Sequence, residues 1–157
     1  MHYNNVLRRL RYALDLNDEA LIALFDAAGV QAAPEHVTAW LLREDDPDMQ
    51  DCGAERFEAF LDALIVQRRG PPPLHMAPPP RTPLTNNAIL KKLRIALSLR
   101  DVDIIEILAI GGHEVTKSGL GGLFRPPGHV HYRPCGDQFL RAFFRGLTVK
   151  LRGASRS

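Results

Sequence analysis

Apolar residues fall into helical stripes along almost the whole chain. Val6, Leu7, Leu10, Ala13 and Leu14 recur at three- and four-residue spacing, the signature of one buried helix face. Asn4 or Asn5 is suited to cap that helix. A second helix is predicted after Asn17, a capping residue followed by Asp18 and Glu19 at the positive dipole end. Leu21, Ile22, Leu24 and Phe25 supply its core face, and Gly29 ends it. Pro34 suits the first turn of a third helix bearing Val37, Trp40 and Leu41. A loop over residues 44–53 leads to a fourth helix with Phe57, Phe60, Leu61, Leu64 and Ile65. No alternating strand pattern of useful length appears.

The same pattern is then written a second time, 83 residues on. Residues 4–70 align without a gap to residues 87–153. Asn4 and the Leu-Arg-rich run after it return as Asn87-Ala88-Ile89-Leu90-Lys91-Lys92-Leu93-Arg94, with Thr85 or Asn86 as the cap. Cys52-Gly53 lands on Cys135-Gly136, and Ala59-Phe60 on Ala142-Phe143. Ile104, Ile105, Ile107 and Leu108 repeat the second helix. Leu140, Phe143, Phe144 and Leu147 repeat the fourth. Three glycines at 119, 121 and 122 cost about 1 kcal/mol each in a helix interior, so the third helix of the second copy should be short or loose. The expected fold is all-α: two homologous four-helix repeats, residues 1–70 and 84–153, joined by a proline-rich linker at 71–83. More than half of that linker is proline, which favours a semi-rigid polyproline II spacer.

Charge divides the two copies. Residues 1–70 carry seven Lys/Arg against thirteen Asp/Glu, a net −6, whereas residues 84–153 carry eleven against five, a net +6. Opposite signs on homologous units suggest electrostatic docking within one chain or between chains. The 157-residue chain has no apolar run near the length of a membrane span and no basic-then-apolar leader at its start, so a cytoplasmic protein is expected. Its two cysteines are then reduced thiols.

Several blocks carry a resemblance. They are the Asn-x-x-Leu-Arg-x-Leu-Arg-x-Ala-Leu opening, Trp40-Leu41-Leu42-Arg43-Glu44-Asp45-Asp46-Pro47, Phe124-Arg125-Pro126-Pro127-Gly128-His129, and Cys135-Gly136-Asp137-Gln138-Phe139-Leu140 with the Phe143-Phe144-Arg145-Gly146-Leu147 that follows. Together they resemble the YehS-like family of bacterial proteins, a duplicated domain of unknown function. The resemblance implies a bacterial, cytosolic protein and supplies no activity or site residues.

Candidate chemistry is sparse. Helices two and three have a helix-turn-helix outline with a recognition helix at residues 34–43, but acidic Glu44-Asp45-Asp46 behind it would repel phosphate. The stronger basic feature is the opening helix of each copy: Arg8, Arg9 and Arg11, and their counterparts Lys91, Lys92 and Arg94. With Lys150, Arg152 and Arg156 they could line one surface for nucleic acid or an acidic protein, or they could be an ordinary solvated face. His113, His129, His131 and Cys135 are zinc-type ligands, but the first copy offers Asp46, Asp48 and Cys52 at positions matching the last three, so no repeated metal site is read there. Each cysteine precedes a helix start that could activate a thiol, or serves as a small buried hydrophobe. No phosphate loop, nucleophile elbow or zinc-protease motif is present. The expectation is a non-enzymatic helical binding module acting through protein–protein contacts or self-association, without cofactor, metal, small-molecule substrate or membrane. The alternative is a nucleic-acid-associated regulator using the six basic residues.

Overall fold

The computed structural model describes residues 2–71 and 84–154. All of their regular structure is helical. The first copy contains α1 (Tyr3–Ala13), α2 (Asp18–Ala27), α3 (Pro34–Trp40) and α4 (Ala54–Arg69). The second contains α5 (Asn86–Ala96), α6 (Asp101–Ile110), α7 (Lys117–Gly121) and α8 (Asp137–Ala154), with a 3-10 turn over Gly122–Phe124 after α7. The proline-rich linker lies outside the described residues.

Local signals account for most helix ends. Asn17 caps α2 by accepting the Ala20 N–H at 2.8 Å, and Thr85 caps α5 by accepting the Ala88 N–H at 3.2 Å. Pro34 opens α3 at a position where no N–H is needed. Glycine supplies the left-handed turn after α2 and α6, at Gly29 (φ 78°) and Gly112 (φ 90°). Two expectations change. The cap of α1 is His2, whose side chain accepts the Asn4 N–H, and Asn4 and Asn5 both lie inside the helix. The third helix ends at Trp40, so the helix-turn-helix outline has only a seven-residue second helix. In the second copy α7 is shorter still, at five residues, as its glycines require.

The two copies share one core. Val6, Leu7, Leu10, Phe25, Trp40, Phe57 and Phe60 belong to the same buried cluster as Ile89, Leu93, Ile104, Leu108, Phe143 and Phe144. The pairing is reciprocal. α1 packs mainly on α8 of the second copy, and α5 packs mainly on α4 of the first. Each opening helix therefore buries its stripe against the other copy's closing helix. Polar ties cross the same seam: Tyr3 Oη donates to Leu84 O at 2.8 Å, and Arg152 donates to Tyr12 O at 2.7 Å. Lys92 pairs with Asp62 and Arg152 with Asp15, so opposite charges do meet between the copies. Exposed pairs contribute about 0–1 kcal/mol each, so apolar burial rather than charge holds the copies together.

One crossing breaks the symmetry. A Cβ on Gly111 would overlap the Ala142 carbonyl, and one on Gly146 would overlap the Ile107 carbonyl, so α6 and α8 touch backbone to backbone. Their counterparts 83 residues earlier, Ala28 and Ala63, carry the methyl groups for which this crossing has no room.

Candidate functional site

One asparagine identical in both copies closes a loop. Asn4 is fully buried, and its Nδ2 donates to Trp40 O at 3.0 Å and Gln50 O at 2.7 Å. Its Oδ1 accepts the Cys52 N–H at 3.0 Å. The second copy repeats the three backbone bonds: Asn87 donates to Leu123 O and Arg133 O at 3.0 and 2.8 Å and accepts the Cys135 N–H at 2.8 Å. One asparagine amide thus pins both ends of the loop between the third and fourth helices. A single side chain with two donors and an acceptor is needed there, which is why neither copy replaces it.

Both cysteines are buried and unpaired beside that clamp. Burial is the larger influence and pushes each thiol up to about 12, the opposite of activation by a helix N-terminus. They pack as small hydrophobes. His129 and His131 sit together on an exposed turn, with ring centroids 5.6 Å apart, while Cys135 is buried. Among the described residues no group of three or more His, Cys, Asp or Glu is gathered for a metal.

The six basic candidates are divided by the reciprocal packing. Arg8, Arg9 and Arg11 line an open groove of about 640 Å³ together with Tyr12 of α1, Ile110 of α6, and Phe144, Arg145, Thr148 and Val149 of α8. Lys91, Lys92 and Arg94 do not line it. Lys92 is bound to Asp62, and Arg94 is bound to Asp101 at 2.8 Å with its guanidinium 4.6 Å above the Phe124 ring. Lys91 is exposed. Lys150 pairs with Glu106 at 3.1 Å, Arg152 with Asp15, and Arg156 lies outside the described residues.

The groove has a charge excess of its own making. No carboxylate of the described residues lies within ion-pair range of Arg8, Arg9 or Arg145, although Arg145 donates from Nε and Nη2 to Gly111 O at 3.2 and 2.9 Å and so ties α8 to the end of α6. Arg8 Nη1 is buried without a hydrogen-bond partner, as is Nε of Arg11, whose Nη2 reaches Asp18 at 3.3 Å. Burial, followed by the neighbouring guanidiniums of Arg141, Arg8 and Arg145, pulls Arg9 below the ordinary arginine value. The position of Arg145 explains the excess. Arg9 and Arg145 are the counterparts, 83 residues apart in each case, of Lys92 and Asp62. One copy of the helix pair makes an ion pair there, and the other sets two cations side by side. Arg141 likewise stands where the first copy has Glu58.

The floor of the groove is apolar. Tyr12 is 54% exposed, Val149 57% and Ile110 42%, above a fully packed Phe144. Arg152 stacks on the Tyr12 ring at 3.7 Å and fixes its position. A second open pocket of about 520 Å³ adjoins through Arg8, walled by Leu41, Leu42, Arg43, Pro47 and the carboxylates of Asp45 and Asp46. Of the residues lining this groove, the sequence singled out Arg8, Arg9 and Arg11 as candidates and did not single out Tyr12, Ile110, Arg145 or Val149; Arg141 stands beside Arg9 without lining the groove. The signal available was the sign change at aligned positions 58/141 and 62/145.

Residues 3–70 and 86–153 each match the family described as "Protein of unknown function (DUF1456)". The chain belongs to that family. Both copies of the DUF1456 unit are thus present, and the matched segments leave out the linker. The chain is also similar to a protein of Escherichia coli (strain K12) described as "Uncharacterized protein YehS", at 38% identity over 147 residues, 94% of each chain. No solved structure matches it. Among the described residues, no helix is long and apolar enough to cross a membrane.

Proposed function

We propose that this DUF1456 protein is a non-enzymatic helical binding module that acts through protein–protein contacts, with the α1–α8 groove as its contact surface. The observation that carries this reading is the set of guanidiniums without carboxylate partners, Arg8, Arg9 and Arg145, around exposed Tyr12, Ile110 and Val149. Arginine and tyrosine around an apolar centre are the residues that dominate protein interfaces, and a like-charged cluster is relieved when a partner brings carboxylates. Clamping by Asn4 and Asn87, and thiols pushed up to about 12, support structural rather than catalytic use of the repeated polar residues. Two unpaired thiols also fit a reducing compartment, the cytoplasm.

A nucleic-acid-associated role is the second reading, favoured by Arg8, Arg9 and Arg11 facing one groove. It loses support where Lys92 and Arg94 are already neutralised and where the groove floor is apolar rather than polar. Fluorescence anisotropy against labelled polyglutamate, mixed-sequence RNA and duplex DNA, titrated with salt, separates the two. The protein-contact reading expects the acidic polypeptide to bind and the Arg9→Glu, Arg145→Asp double variant to lose it. Tighter binding to RNA or duplex, with a log–log salt slope of about −2 to −3 for three phosphate contacts, would replace it with the second reading. No binding of any probe at low salt would remove the groove as a contact surface.

A further inference from the structure

Taking the protein-contact reading as its basis, we infer that the groove receives one acidic amphipathic helix of the partner, laid along α1 and α8 as a third helix. The argument starts from the walls. Both are helices whose backbone groups are bonded internally, so they offer nothing to the free N–H and C=O groups of an extended segment. A helix arrives with its backbone already satisfied and presents only side chains.

Side-chain placement matches such a helix. Arg141 and Arg145 stand one turn apart on α8, and Arg8 and Arg11 one turn apart on α1. In the same groove as Arg8, Arg11 and Arg145, the apolar side chains of Tyr12, Ile110 and Val149 are exposed. A partner helix with a leucine stripe on these side chains and carboxylates three or four residues apart would meet cations of α1 and α8, and its charge is the complement of the groove's excess.

Duplication does not create a second such site. The α4–α5 face keeps exposed apolar residues at matching positions, Val66 for Val149 and Ile95 for Tyr12. There Asp62 already holds Lys92, and Glu58 replaces Arg141, so an acidic helix would meet carboxylates. The stoichiometry is therefore one helix per chain.

Calorimetric titration of the full chain tests this with three probes: a peptide of about 18 residues designed as a helix with flanking glutamates, a scrambled peptide of the same composition, and polyglutamate. The helical peptide is expected to bind one per chain, about tenfold or more tighter than the scramble. Val149→Ser, at an exposed position that tolerates change, should weaken it about tenfold, the loss of one buried valine contact. Arg145→Asp should reduce it below detection. Equal binding of all three probes, indifferent to Val149→Ser, overturns the helix and leaves the acidic-partner reading intact. Two peptides per chain overturns the single site. Binding of RNA with no peptide binding overturns both readings. Self-association in sedimentation that the helical peptide does not displace assigns the groove to a second copy instead.

Discussion

Replacing Asn4 by alanine should be among the most damaging single changes in the protein. The side chain is 0% exposed, and it makes four hydrogen bonds: to Trp40 O, to Gln50 O, to Met49 Sδ at 3.3 Å, and from the Cys52 N–H. Alanine leaves one N–H and two carbonyls without that partner. A buried group left unsatisfied costs about 1–3 kcal/mol, but a carbonyl retains a second lone pair, and the exposed loop can relax toward water. The net cost is therefore about 3–5 kcal/mol, a large share of the roughly 5–15 kcal/mol that stabilises a domain. Asn87→Ala is the internal control. It breaks the three matching backbone bonds in the second copy, but Asn87 is only half-buried, so water can replace part of them. Its cost should be about 1–2 kcal/mol. Urea unfolding followed by far-UV circular dichroism measures both, and the shared core predicts one cooperative transition in each. A cost below about 1 kcal/mol for Asn4→Ala, or a larger cost for Asn87→Ala, would refute the clamp as the reason for the repeated asparagine.

The α6–α8 crossing and the thiols give two further tests. Gly146→Ala gains about 1 kcal/mol of helix propensity but drives its methyl into the Ile107 carbonyl, a backbone atom that moves only with its helix. A net destabilisation of about 2–3 kcal/mol is expected by thermal denaturation, whereas Ala63→Gly at the matching site in α4 should cost only about 1 kcal/mol. Cys52 and Cys135 hold their protons up to about pH 12 in the folded state, against 9.0 ordinarily. Between those values the folded state binds more protons than the unfolded one. Stability should then fall as pH rises through that window, by about 1.4 kcal/mol per pH unit per thiol. A double Cys→Ala variant that keeps the same alkaline slope would contradict this, as would rapid alkylation of the native thiols at pH 8.

The amino-acid sequence by itself determined the helices and their duplication. Periodic apolar stripes, Asn17 and Thr85 as caps, Pro34 at a helix start, and the 83-residue offset are local signals, readable because each acts within a few residues of where it stands. The broken third helix of the second copy was legible for the same reason, from Gly119, Gly121 and Gly122. The role of Asn4 was not. Its position suggested a cap, and its partners lie 36 to 48 residues away, at a distance where no local pattern points. Likewise the basic residues of α1 and α5 look equivalent in sequence and end in opposite surroundings. Only the tertiary structure decided that α1 meets α8 and α5 meets α4, because that choice rests on which apolar stripes interlock across the shared core. From it follows that Lys92 finds Asp62 while Arg9 finds Arg145. A helix's own sequence fixes the charges it carries; its packing partner fixes whether they are cancelled or concentrated.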